Sequence, residues 1–287
     1  MLQRVHLVSF ATLEFKRSQR RLTISAKRFG ISNIHEFGPE DIDHAFYRRH
    51  SRILRSRRGA GYWLWKPYLI RKIMAQTIEG AIVFYMDADA EFVADPSPLI
   101  KLADGKGIVL FQNWIEHTNA IWTKRDCFIG MDCDSGVYWS ATQLTAAYAL
   151  FKNAARARSF VDEWLDYCAS EPILTDQPNA LGRANLPGFI EHRHDQSVLS
   201  LLALKSGMET FRDPSQFGNE RKVPANRVAG EYMHHRSDYC DTVENSVYGQ
   251  IVHSHGKRDV IALPIWGKIQ GVLPTLVKRA VRSLLSQ

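Results

Sequence analysis

Two carboxylates stand one residue apart in Phe84-Tyr85-Met86-Asp87-Ala88-Asp89, directly after the apolar run 81–86. In open α/β sheets ligands gather at the carboxyl ends of strands. Paired acids placed there can both turn toward one hard cation, and carboxylate oxygens suit Mg²⁺ or Mn²⁺. Such a cation neutralises phosphate oxygens and stabilises a departing nucleoside diphosphate. On an exposed turn the same triplet would be two solvated acids; the buried strand before it makes Asp87, Ala88 and Asp89 candidates for metal and diphosphate binding. His253 and His255 are two apart, so on an extended segment both project to one side. Imidazole is a ligand for Mn²⁺, and His255, next to Gly256, is the preferred third ligand. A basic run, Arg48, Arg49, Arg52, Arg55, Arg57 and Arg58, precedes Gly59-Ala60-Gly61. Arginine grips phosphate with two parallel hydrogen bonds, and Arg58 is the candidate for that role. One more of the run could share it, and most of these arginines are expected to face water. Tyr62, Trp63 and Trp65 are read as core rather than as a sugar platform.

These residues need a scaffold. Val5–Phe10 suits a buried parallel strand, residues 13–29 a helix ended by Gly30, and residues 31–37 a second strand. This β-α-β opening predicts a nucleotide-binding α/β fold. Residues 62–74 read as a helix with Pro67 near its start, residues 81–86 as the central strand, and residues 108–111 as a short one. Residues 144–151 and 159–168 are expected to be helical. Asp195–Lys205 reads as a helix that Asp195 can cap. Ile251 and Val252 suggest a last strand running into His253-Ser254-His255-Gly256-Lys257. No linker or repeat divides the chain, so one domain over residues 1–262 is expected, with a basic amphipathic segment over 263–287.

The ordered set of motifs resembles the GT-A glycosyltransferases, an α/β fold with a mixed, mostly parallel sheet flanked by helices. Lys66-Pro67 resembles the segment that many of them place before the Asp-x-Asp. Asp134-Ser135-Gly136-Val137 resembles the Asn-Ser/Ala-Gly segment that lies against donor sugar and acceptor and is followed by a strand. Asp195-Gln196 resembles the Asp-Gln helix opening of the family 8-like retaining transferases, and His255-Gly256 their metal-ligating histidine. Position 134 is Asp where family 8 usually has Asn, and no Pro-Trp follows Lys257, so the chain resembles a divergent relative of that family. The resemblance implies a divalent cation, Mn²⁺ or Mg²⁺, held by Asp87, Asp89 and His255. It implies a nucleotide-sugar donor, a UDP-sugar, with base and ribose near Ser9, Phe10, Ala11 and Thr12. Arg58, Lys66 and Lys257 would attend the diphosphate, and Asp195, Gln196 and Asp134, with Asp132 beside it, the transferred hexose. Retention of anomeric configuration and a saccharide or lipid-linked saccharide acceptor complete what it implies.

The composition accords with an ordinary globular protein, with 45% hydrophobic and 23% charged residues in a chain of 287. A formal net charge of +7 favours anionic partners. No recognised nucleic-acid motif accompanies it, so nucleic acid is not expected as a partner. Cys127, Cys133, Cys168 and Cys240 have neither CxxC nor zinc-like spacing and are expected to be reduced. The opening MLQRVHLVSF runs into a strand without a signal-peptide pattern, and no apolar run approaches the roughly 18 residues of a membrane span. A cytoplasmic enzyme is expected, with Lys278, Arg279 and Arg282 on the last segment able to meet an anionic inner leaflet. His192, His194, His234 and His235 are expected to be structural or on the surface. Two rivals remain: a haloacid dehalogenase-like phosphatase, in which Asp87 would be a nucleophile, and a non-catalytic saccharide- or nucleotide-binding protein on the same scaffold. The first is disfavoured because Asp-x-Asp lies more than eighty residues in and continues Ala90-Glu91-Phe92.

Overall fold

The structure, a computed structural model, describes residues 2–113, 117–219 and 245–255. Gly256, Lys257, His234, His235, Cys240 and the segment 263–287 lie outside the described residues.

The strands are β1 (Val5–Phe10), β2 (Asn33–Phe37), β3 (Ile82–Met86), β4 (Ala90–Phe92), β5 (Ile108–Gln112), β6 (Leu144–Lys152) and β7 (Val252–Ser254). Five of them share one sheet in the order β2-β1-β3-β6-β5. β1 runs parallel to both β2 and β3, whereas β6 is antiparallel to its neighbours β3 and β5. This is the mixed, mostly parallel sheet flanked by helices that the sequence implies. β3 lies at its centre with all five residues buried, as an unbroken apolar run requires when both faces are covered.

Helices cover both faces. Alternation along β3 sends Val83 and Tyr85 to one side, and Ile82, Phe84 and Met86 to the other. The first side packs against α2 (Trp65–Gln76), α4 (Ala155–Cys168) and α5 (Asp195–Lys205) through Leu69, Ile73, Trp164 and Leu199. The second packs against α1 (Lys16–Arg28) and α3 (Ser97–Lys106) through Leu22, Leu99 and Ile100. Among the described residues no helix is long and apolar enough to cross a membrane. Cys127, Cys133 and Cys168 are buried free thiols.

Residues 144–151 differ from the expectation: they form strand β6, not a helix. The sequence Leu-Thr-Ala-Ala-Tyr-Ala-Leu-Phe has helix-compatible composition, but Ile82–Met86 and β5 offer open edges on either side, and pairing with both outweighs local propensity. The two-stranded sheet of β4 and β7 brings Glu91 opposite His253, so the described C-terminal segment returns to the strand just after Asp87-Ala88-Asp89.

Between residues 59 and 63 the backbone turns left-handed. Gly59, Ala60, Gly61, Tyr62 and Trp63 all have positive φ, from +50° to +100°. Side chains disfavour that region, so the run stores strain at three non-glycine residues. Gly61 has φ +100°, and a Cβ there would stand 2.8 Å from Leu54 Cα, which is backbone and cannot swing away. Gly61→Ala is therefore expected to lower stability by about 1–3 kcal/mol, read as a shift in the urea midpoint. An unchanged midpoint would show that the turn relaxes at no cost.

Candidate functional site

β1 and β3 are parallel neighbours, so their carboxyl ends open on the same edge of the sheet. There a cleft of about 450 Å³ is bounded by Phe10, Ala11 and Thr12 after β1, by Asp87, Ala88 and Asp89 after β3, and by Arg57, Arg58, Gly59 and Ala60. Trp63 and Trp65 complete a wall, so the aromatic cluster belongs partly to the cleft and not only to the core. Trp65 stacks on Phe10 with ring centroids 3.9 Å apart and gives its indole N–H to the Gly59 carbonyl at 2.9 Å. Ser9 is not on the surface of the cleft. It is buried behind it, where its hydroxyl accepts a hydrogen bond from Gln19.

Asp87 points to the face occupied by α2 and α5, as the two-residue period from Tyr85 dictates. The Tyr85 hydroxyl donates to Asp87 Oδ1. Lys66, third partner of this cluster, is buried, with Nζ 3.5 Å from Asp87 Oδ1 and 2.8 Å from Asp195 Oδ2. It also donates to the Ala146 carbonyl at 3.0 Å. Burial works against the ammonium charge, but Asp195 and Asp87 outweigh it and hold Lys66 above its ordinary range. Burial pushes Asp195 up to about 6 despite Lys66, and burial with Asp87 alongside pushes Asp89 up to about 6. Asp87 and Asp195 thus share a single ammonium, and Asp89, beside Asp87, is not paired with it, so the cluster is rich in carboxylate charge. A divalent cation would offset that charge, and Asp87 and Asp89 present the hard oxygen donors it needs. The donor set therefore fits Mg²⁺ or Mn²⁺ at these two residues.

The third predicted ligand is placed differently. His255 donates its backbone N–H to the Asp89 carbonyl at 2.9 Å, which brings it beside the acidic pair. Its imidazole Nε2, however, lies 2.9 Å from Glu91 Oε1. Among the described residues no group of three or more His, Cys, Asp or Glu side chains is arranged as a metal site. His253 Nδ1 is 3.5 Å from the Gln250 amide.

Asp195 opens α5 but does not cap it. The capping position is His194, and the Asp195 carboxylate turns inward to Lys66. Gln196 donates its amide to Gln143 Oε1 at 2.7 Å and stands by the Ala146 N–H at 3.5 Å. The segment packed against the acidic pair is thus β6 at Ala146 and Ala147, and the Ala147 carbonyl accepts the Asp87 N–H at 2.7 Å. Asp134 does not line the cleft. Arg125 clamps it, with Nε 2.8 Å from Oδ1 and Nη2 3.1 Å from Oδ2, and Trp139 adds its indole N–H. The helical turn Gly136–Ser140, not a strand, follows it. Asp132 sits in a turn at φ +55° and is also outside the cleft.

His194 proves central, although it carries no motif. Nδ1 lies 2.8 Å from the Leu174 carbonyl and so bears the hydrogen, which leaves Nε2 to accept from Arg58 Nε at 2.8 Å. The ring is flanked by Tyr62 at 4.9 Å and Trp63 at 5.5 Å. Its backbone is strained, at φ +52° and ψ −120°. Burial holds its pKa below the ordinary imidazole range. His194 therefore ties the left-handed turn and Arg58 to the first residue of α5. His192 is buried and structural, with Nε2 2.9 Å from the Ile173 carbonyl.

No protein-family model matches the chain, and no curated protein matches it. Solved structures do resemble it in fold. Mouse xyloside xylosyltransferase 1 is 10% identical, with 87% of this chain and 96% of that one covered at a TM-score of 0.46. The galactosyltransferase LgtC, solved with donor and acceptor sugar analogues, is 14% identical, with 94% and 96% covered at 0.45. The bifunctional glycosyltransferase WbbM is 11% identical, with 69% and 37% covered at 0.42. These three proteins, to which the chain is similar in fold, are glycosyltransferases.

Proposed function

We propose that this chain is a metal-dependent glycosyltransferase that moves a hexose from a UDP-sugar to a saccharide or lipid-linked saccharide acceptor. One observation carries the proposal: Asp87 and Asp89, at the carboxyl end of the central strand, face a cleft whose other walls are the end of β1 and Arg57–Arg58. An Mg²⁺ or Mn²⁺ ion bound at Asp87 and Asp89 would neutralise the diphosphate as it leaves. Phe10, Ala11 and Thr12 offer a surface for base and ribose, and Arg58, which borders the cleft, would exchange an ion pair with Asp176 or Glu191 for phosphate. Lys66 and the Tyr85 hydroxyl fix the Asp87 carboxylate from behind. The Asp195-Gln196 segment lies on the opposite side of Lys66, and retention at the anomeric carbon is proposed on its resemblance to family 8-like transferases.

The test is calorimetric titration of UDP, with GDP and CMP as controls, with and without Mn²⁺, on the native chain and on Asp89→Ala. Manganese-dependent UDP binding that disappears in the variant is the expected result. Absence of nucleotide binding under every metal condition would overturn the proposal and turn attention to phosphatase assays.

A further inference from the structure

Arg58 borders a second pocket, of about 280 Å³, that shares no other lining residue with the cleft. Its floor holds the buried Lys124 and His192, and its walls come from the loop between the short helix Glu171–Leu174 and α5. The cations here are already committed. Lys124 Nζ donates to the carbonyls of Gln177 at 2.6 Å and Thr175 at 3.3 Å. Arg58 faces Asp176 at 3.3 Å and Glu191 at 3.1 Å. With two cations matched by two carboxylates, the pocket is a poor seat for phosphate or another anion.

What it offers instead is hydrogen bonding beside an apolar face. Asn185 Oδ1 accepts from the Arg125 N–H and from Asn179, both at 2.8 Å, so its own amide N–H groups have no partner among the described residues. Gln177 donates its side-chain amide to Glu171 at 3.3 Å, and its side-chain oxygen Oε1 has no partner among the described residues. Asp176 and Glu191 add acceptors for hydroxyl groups, and Phe189 supplies an aromatic surface. Polar side chains dominate the lining, with Pro178, Phe189 and Ile190 as its apolar part, and a small concave site of this make-up suits a small ligand rich in hydroxyl groups.

We propose that this pocket seats a pyranose ring of the acceptor saccharide, with Phe189 against the ring face and Asn185, Gln177, Asp176 and Glu191 on its hydroxyls. The assignment rests on the glycosyltransferase reading. It makes Arg58 the divider between donor cleft and acceptor pocket, and His194 the group that holds the divider in place. A neutral, hydroxyl-rich ligand is expected, because a charged one would displace ion pairs that hold the walls together.

Saturation-transfer NMR on the full chain tests it, with methyl α-D-glucopyranoside, methyl α-D-galactopyranoside and methyl α-D-mannopyranoside as probes. The native protein should saturate the ring protons of at least one glycoside, with saturating UDP and Mn²⁺ leaving that signal in place. Phe189→Ala and Asn185→Ala, both on an accessible loop, should each reduce it severalfold while leaving UDP affinity unchanged. No signal from any of the glycosides, a signal retained in both variants, or a signal abolished by UDP would overturn the assignment. UDP titration separates this from the transferase reading. Intact UDP binding without a glycoside signal removes the acceptor pocket alone. A variant-sensitive glycoside signal without UDP binding keeps a saccharide site and removes the transferase.

Discussion

Lys66→Met should lower the stability of the chain by about 3–5 kcal/mol at pH 7.5, because it removes one partner from a buried ionic cluster and leaves the others. Methionine nearly conserves the volume of the side chain, so packing between Trp65 and Tyr85 is retained and the charge alone is lost. Asp195 is buried, and the ammonium at 2.8 Å is its principal counter-charge. The pH dependence identifies the cause. Asp195 and Asp89 are held near 6 in the folded chain against an ordinary value of 3.8, so between those values the folded state binds more protons than the unfolded one. Stability therefore falls as pH rises from about 4 to 6 and stays reduced above that window. Without Lys66 the Asp195 carboxyl is pushed higher still, so the defect of Lys66→Met should shrink at pH 5, where protonation removes the unpaired charge. Guanidinium denaturation at pH 5 and 7.5 measures both. A cost below about 1 kcal/mol, well under that of breaking a buried pair, or an equal cost at the two pH values, would show that the cluster is not electrostatically coupled.

That role of Lys66 is only half legible in the sequence. Lys66-Pro67 stands out by resemblance, but nothing local says that a lysine at the start of a helix turns inward to meet acids 21 and 129 positions away. Central β3 and the placement of Asp87 and Asp89 are readable because they depend on a short unbroken apolar run and the period of a strand. The boundaries of α5 match Asp195–Lys205 for the same local reason. β6 reads as a helix because alanine and leucine fit either state, and the deciding factor is the pair of neighbouring strands. The left-handed turn at 59–63 is signalled only by its two glycines; the positive φ of Ala60, Tyr62 and Trp63 has no local signal, and the rings of Tyr62 and Trp63 pack beside the distant His194. A motif points to Asp134, yet Arg125 binds it, a contact nine residues back that resemblance does not reveal.

Asp87→Ala should reduce turnover about a thousandfold, equivalent to roughly 4 kcal/mol of transition-state stabilisation. The substitution leaves the fold standing, because Lys66 keeps Asp195 at 2.8 Å and the Ala146 carbonyl at 3.0 Å after Asp87 is gone. Release of UDP from a UDP-hexose in the presence of Mn²⁺ is the measurement. Asp89→Ala provides a second, opposing signature. In the metal-free chain above pH 6, Asp89 ionises at a cost, since burial and Asp87 both resist its charge. Its removal should therefore raise metal-free stability at pH 7.5 by about 1–3 kcal/mol, a tenfold change in proton affinity being worth about 1.4 kcal/mol. The same substitution should abolish metal-dependent UDP binding. A residue that weakens the resting protein and is required for the bound one is the trade expected of a functional site. Added Mn²⁺ should stabilise the native chain at pH 7.5 more than at pH 5, where the Asp89 carboxyl, held near 6, is largely protonated, and should do so in neither variant. Near-normal turnover in a correctly folded Asp87→Ala would remove the acidic pair from the chemistry. A less stable Asp89→Ala would show that its carboxylate is satisfied by the protein alone.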